Sequence, residues 1–180
     1  MTDNETETRL WTADGFRADD WRHEESAEAL AGNGRFILPL ETFLGLDETT
    51  RKELAGRIGV RVSSGEALEP ILPFLDSLPL IALSFPAFND GRSYSKAQLL
   101  KGRYGFKGEL RAMGDVLIDQ VAHMLRCGFD TLEISNKTAL ARLEAGRLGG
   151  IALEYQPSVS GAQTVGRYSW RRSPAAPVPG

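Results

Sequence analysis

Asp90, Arg92 and Tyr94 stand close together in the run Phe85–Pro86–Ala87–Phe88–Asn89–Asp90–Gly91–Arg92–Ser93–Tyr94, and they offer a carboxylate, a guanidinium and a phenol. A guanidinium carries its N–H donors in a planar fork that matches the oxygens of a carboxylate, sulfate or phosphate. Ser93 and Ser95 lead into a predicted helix, where open backbone N–H groups also favour an anion. The chemistry indicated is the holding of a small anion, with Asp90 at hand as a general base. The same stretch has a plainer reading, in which Asn89–Asp90–Gly91 is a tight turn and Ser95 a helix cap.

Arg111 and Glu133 are the next candidates. Both fall inside predicted strands, and a charged side chain there needs a partner or water. Arg111 either faces an anionic ligand or joins an ion-pair network with Glu109 and Glu133. Asp115 follows the Arg111 strand and, like Glu133, is a candidate base. Asp115, Asp119, His123 and Cys127 recur every four residues on one helix, which brings Asp119 and His123 within reach of one ion. The only other histidine is His23, so the spacing reads as a solvated face and no metal is assigned. Cys127 lies at the helix C-terminal end, where the dipole disfavours a thiolate. The basic and aromatic run Lys101, Arg103, Tyr104, Phe106 and Lys107 reads as a helix end and turn that can also touch a phosphate or a partner.

Short apolar runs alternate with helical patterns and must position these residues. Strands are predicted at Phe36–Leu40, Ile58–Val62, Leu80–Phe85, Glu109–Met113, Thr131–Ser135 and Ile151–Tyr155. Helices are predicted at Asp47–Ala55, Glu66–Leu75, Ser95–Tyr104, Val116–Cys127 and Thr138–Arg147, with Ser95 and Asp115 as N-caps and Gly105 and Gly128 just past helix ends. In the last-but-one helix Leu117, Ile118, Val121, Ala122, Met124 and Leu125 share one side, opposite Asp119, Gln120, His123, Arg126 and Cys127. Strand and helix in alternation imply an α/β fold with a mainly parallel sheet of five to six strands and βα units.

Several of these strands alternate rather than being apolar throughout. Arg61, Arg111 and Glu133 all point to the face opposite their apolar neighbours. That pattern suits a partial β/α barrel with a polar interior, or an open three-layer sheet whose polar face is a site or a homodimer contact. Ligands in such folds bind at the carboxyl ends of strands, which places Ser63, Ser64, Asp90, Arg92, Asp115 and Asn136 along one edge. Residues 1–35 read as an acidic, loosely structured lead with a possible hairpin at the Asp14–Gly15 turn signal. Residues 36–165 read as one domain and residues 166–180 as a disordered Pro/Ala-rich tail.

Composition narrows the function classes. The 180 residues carry a net charge of −3, leaving no basic excess for a nucleic-acid backbone. No apolar run approaches the roughly 20 residues of a membrane helix, and the polar start has no signal core. A single cysteine excludes an internal disulfide and an Fe–S cluster held by this chain alone, and suits the cytoplasm. No glycine-rich dinucleotide fingerprint, Walker loop or nucleophile elbow occurs.

The run Leu78 to Ser95, its continuation Tyr104–Gly105–Phe106–Lys107–Gly108–Glu109–Leu110–Arg111–Ala112–Met113–Gly114–Asp115, and the stretch Met124–Leu125–Arg126–Cys127–Gly128–Phe129–Asp130 together resemble a proteobacterial family, domain of unknown function 934. The resemblance spans about residues 35–157. Genes of that family commonly accompany those for assimilatory sulfite reductase, and the family carries an oxidoreductase label tied to sulfite reduction. The resemblance therefore implies an accessory protein of sulfate or sulfite reduction, with sulfite reductase or another sulfur-assimilation enzyme as partner. Its alternatives are a stand-alone enzyme on a small anionic metabolite and a flavin or NADPH oxidoreductase. It assigns no catalytic residue and no cofactor.

Overall fold

The computed structural model describes residues 8–87 and 89–147. Eight strands form one sheet: β1 (Arg9–Thr12), β2 (Gly15–Arg17), β3 (Trp21–His23), β4 (Arg35–Pro39), β5 (Ile58–Val62), β6 (Leu80–Phe85), β7 (Glu109–Gly114) and β8 (Thr131–Ile134). Their spatial order is β2-β1-β8-β7-β6-β5-β4-β3, with β3 to β8 parallel and β1 antiparallel to both β8 and β2. Because β4 to β8 are neighbours in chain order, crossovers of one hand put every helix on the same face. Those helices are α1 (Leu40–Gly45), α2 (Glu48–Glu53), α3 (Arg92–Gln98), α4 (Val121–Cys127) and α5 (Lys137–Glu144).

A simple length argument shows that the sheet must curl. Laid flat, eight strands would set β2 and β3 about 34 Å apart. Only residues 18–20 join those two edges, and from Arg17 to Trp21 the chain can reach at most about 14 Å. The side chains agree: His23 on β3 bonds Glu133 on β8 at 2.9 Å, although five places separate the two strands in the sheet. The result is a curled half-barrel whose edges are stitched together by Gly15–His23.

Of the two predicted architectures, the barrel-like one is formed. The predicted five to six strands are corrected to eight. The added strands lie in residues 9–23, within the stretch predicted as a loose lead. The predicted hairpin is β1–β2, with Gly15 at φ +117. The predicted strand Ile151–Tyr155 and the Pro/Ala-rich tail lie outside the described residues.

Alternation along the strands separates two environments. Ile58, Val60, Val62, Ile81, Leu83, Phe85, Leu110, Ala112, Leu132 and Ile134 face the helices in the main core. The inner face holds a small apolar layer of Trp21, Ile37, Leu80 and Ala82 with Met113 against it, beside the charged residues described below. Glycine is required where strands crowd: a Cβ on Gly59 would meet the Leu80 side chain at 2.9 Å.

Four helix readings are corrected, the first being Glu66–Leu75, which is a 3-10 helix over Glu69–Phe74. Gly91, not Ser95, precedes the first turn of α3, which begins at Arg92 and continues as a π-helical turn, Leu99–Arg103. Asp115 is not at the N-cap position, because the following helix opens as a 3-10 turn, Ile118–Gln120, preceded by Leu117. That turn winds about 120° per residue rather than 100°, so the buried face rotates and Cys127 lies on it with Val121 and Met124. Gly128 ends α4 in the left-handed conformation at φ 102, as its position predicts.

Candidate functional site

Arg111 sits at the middle of the inner face, between Ala82 on β6 and Thr131 on β7's other neighbour, β8. It is 0% exposed, so its charge must be answered by neighbours rather than water. Nε donates to Glu109 Oε1 (3.1 Å), Nη1 to Asp19 Oδ2 (2.7 Å) and Glu133 Oε1 (3.0 Å), and Nη2 to Asp19 Oδ1 (3.1 Å) and Glu109 Oε1 (2.9 Å). All five N–H donors of the guanidinium are thereby engaged. Burial alone would push the Arg111 pKa down, but its hydrogen bonds to Asp19 and the charges of Glu109, Asp19 and Glu133 outweigh it and raise it. A second ring of contacts holds the carboxylates: Arg17 on Glu109 (3.0 Å), Thr131 on Glu109 (2.7 Å) and His23 on Glu133 (2.9 Å).

Arg111 and Glu133 thus meet, as does Glu109, which the shared strand face already predicts. Asp19 and His23 are the residues that sequence reasoning missed. A signal for them exists, since Arg17, Asp19, Trp21 and His23 alternate like an extended segment with every second side chain directed one way.

A second cluster lies at the strand C-terminal edge. Arg92 donates from Nε and Nη2 to Asp90 (2.9 and 2.6 Å) and from Nη2 to Ser64 Oγ (3.1 Å). Lys96 Nζ donates to the carbonyls of Ser63 (2.6 Å) and Ser64 (2.9 Å), so the loops after β5 and β6 are clasped together. Ser93 Oγ donates to Ser84 O (2.7 Å) and pins the start of α3 to the strand. The Arg92 side chain remains 63% exposed.

The Arg92 hydrogen bonds, then that of Ser64, hold the Asp90 carboxyl well below the usual carboxylate range, and the reciprocal contact raises Arg92. Burial is the main reason that Lys96 is lowered. In an NMR titration Asp90 should stay ionised at acid pH where ordinary carboxylates protonate, and Arg92→Ala should return it toward about 3.9. The Asp90 contribution to stability is present above the unfolded-state value and is lost only as pH falls through the depressed one. An unchanged Asp90 titration in the variant would contradict the assigned cause.

Tyr94 and Asp115 belong to neither cluster. Asp115 opens the loop after β7, its backbone N–H bonded to Phe85 O at 2.8 Å. The Tyr94 ring packs between Phe85 and His123, at centroid distances of 5.0 and 4.5 Å. Its hydroxyl is buried with no hydrogen-bond partner among the described residues. Burial, with smaller effects of Cys127 and Asp119, pushes the phenol up to about 12. The native state therefore holds this proton more tightly than the unfolded chain, and stability falls as pH rises from about 10 to 12. Tyr94→Phe should remove an unsatisfied hydroxyl, leave stability at neutral pH unchanged or raised by about 1 kcal/mol, and flatten that alkaline loss. Urea midpoints at neutral pH and near pH 11 test both halves.

Cys127 Sγ lies 3.7 Å from both Gln98 Nε2 and His123 Nε2. Burial pushes the thiol up and the imidazole down, so the pair is neutral at physiological pH rather than a thiolate and an imidazolium. A groove of about 540 Å³ opens at the other end of the barrel, by the N-terminal ends of β7 and β8 and the β1–β2 turn. Its Lys101 is tied to Gly108 O (3.0 Å) and Asp130 (2.7 Å), and Asp130 accepts from Leu110 N (2.8 Å). These contacts tie the strand ends together; Lys101 and Lys107 of the predicted basic run line the groove, and Asp90, Arg92, Tyr94, Arg111, Asp115 and Glu133 do not.

Fold and site define a class: a curled, mostly parallel α/β half-barrel with a charged interior and an exposed arginine clasp at its strand edge. The chain belongs to the family described as a bacterial protein of unknown function, DUF934, whose family model matches residues 59–166. No curated protein and no solved structure matches it. Among the described residues, no helix is long and apolar enough to cross a membrane.

Proposed function

We propose that this protein is an accessory factor of assimilatory sulfate or sulfite reduction, which engages a partner reductase or a small anion at the strand C-terminal edge. The observation that carries the reading is the state of the two candidate arginines. Arg111 is enclosed with every donor engaged, whereas Arg92 is oriented by Asp90 and Ser64 yet presents most of its side chain to solvent. An arginine fixed on one side and open on the other is pre-organised to meet an acidic group. Lys96, anchored beside it, adds a second cation. The link to sulfur metabolism rests on the family's gene company.

A thermal-shift panel tests the proposal with sulfite, sulfate, phosphate, adenylyl sulfates, NADPH, FAD, FMN and purified sulfite reductase. A ligand at 100 times its Kd should stabilise the protein by about 2.7 kcal/mol. The expected result is a shift with the reductase or with a sulfur oxyanion that disappears in Arg92→Ala, a replacement of a side chain that is 63% exposed. A shift with a flavin or NADPH alone would replace this reading by an oxidoreductase. Unimpaired growth on sulfate after deletion of the gene, where deletion of sulfite reductase abolishes it, would count against any role in the pathway.

A further inference from the structure

Asp19 is unlike the other carboxylates on Arg111. Glu109 and Glu133 stand on β7 and β8 inside the sheet, each held by further side-chain contacts from Thr131, Arg17 or His23, whereas the further contact of Asp19 comes from its own segment, the backbone N–H of Trp21 at 3.1 Å. Asp19 stands on the three-residue link that stitches the barrel edges, and its neighbours Ala18 and Asp20 are exposed. The two strands flanking the link are the sheet's edges and its shortest members. The Asp19 side chain is 29% exposed, against 21% for Glu109 and 9% for Glu133, while Arg111 is 0% exposed, so Asp19 is the most solvent-open of the three carboxylates on the guanidinium.

We propose that Arg111 is a binding site for a small monocarboxylate, that Asp19 fills the site in the closed protein, and that residues 18–20 are a strap that leaves when such a ligand enters. The contact already has the form of carboxylate recognition: Oδ2 on Nη1 at 2.7 Å and Oδ1 on Nη2 at 3.1 Å, two bonds from fork to fork. Opening without a replacement would leave two Arg111 N–H donors, one on Nη1 and one on Nη2, without the charged acceptor they now have, although Glu109 and Glu133 still face the guanidinium. Opening is therefore coupled to an incoming anion. Opening also breaks the bond from Trp21 N to Asp19 and disturbs the edge strands β2 and β3, the kind of element that opens first in a cooperative fold.

Charge selects the ligand. Counting arginines and carboxylates, Arg17 and Arg111 face Asp19, Glu109 and Glu133, one net negative charge. When Asp19 leaves, the remaining four balance. A monoanion restores the closed-state charge, and a dianion such as sulfate exceeds it. The proposal is independent of the edge site at Arg92.

Hydrogen exchange followed by mass spectrometry on the full wild-type chain tests this, in acetate, chloride and sulfate at matched ionic strength. Exchange over residues 15–23 should rise severalfold in acetate over chloride, less in sulfate, with β6 and β7 unchanged and with the same response in Arg92→Ala. Asp19→Ala should gain a thermal shift with acetate that chloride does not give. Equal wild-type exchange over 15–23 in acetate and chloride would overturn the proposal. An acetate response confined to Asp19→Ala would also overturn it, since truncation alone then makes the space. Should Asp19→Ala not fold, the wild-type exchange result decides.

Discussion

Replacing Arg111 by methionine should destabilise the protein by about 3–5 kcal/mol, the range for removing one partner of a buried ion pair. Methionine keeps much of the side chain's length and apolar stem, so packing loss is a minor part of the effect. What remains is three carboxylates, from Asp19, Glu109 and Glu133, gathered around a position where the cation was wholly buried. Of these, Arg17 still answers Glu109 and His23 still bonds Glu133, but Asp19 loses its only ion-pair partner among the described residues. The loss compares with a total stability of about 5–15 kcal/mol for a domain, so the variant should be marginal at 37 °C. Urea unfolding at neutral pH is the measurement. A cost below about 1 kcal/mol would mean that the cluster breaks even with an apolar core, as some buried networks do.

Gly114→Ala should be the second large effect. Gly114 ends β7 at φ +97, a conformation that an L side chain adopts at a cost of about 1–2 kcal/mol. A Cβ would lie 3.1 Å from the Phe85 carbonyl carbon and closer still to its oxygen. That oxygen is also the acceptor for Asp115 N, and Gly114 pairs directly with Phe85 in the ladder. Backbone cannot yield as a side chain would, so overpacking adds about 1–3 kcal/mol. The combined expectation is about 2–5 kcal/mol, together with a displaced Phe85–Tyr94 loop, read as a weakened Arg92 response in the ligand panel. A variant as stable as wild type would show that β7 and β6 can separate at this point.

Much of the barrel wall was legible because its strands keep strict alternation. Val60 and Val62 against Arg61, Leu110 and Ala112 against Arg111, and Leu132 against Glu133 gave both the helix-covered face and the charged face. The turn chemistry of Asp14–Gly15 and the left-handed Gly128 were equally local and equally readable. The clasp of Asp90 and Arg92 was legible in part, because the two residues are close in the chain; Ser64 and Lys96 joined it only through the packing of two loops.

Legible from the residues alone are therefore the βα order, the two-faced strands and the family. The tertiary structure alone decided that Gly15–His23 closes the sheet and carries Asp19 and His23 to Arg111 and Glu133, more than 90 residues away in the chain. The physical reason is that β2 and β3 are three residues long and turn charged side chains inward. Such strands have no apolar run to announce them, and their inward direction has meaning only after the sheet has curled around a buried guanidinium that needs their charge.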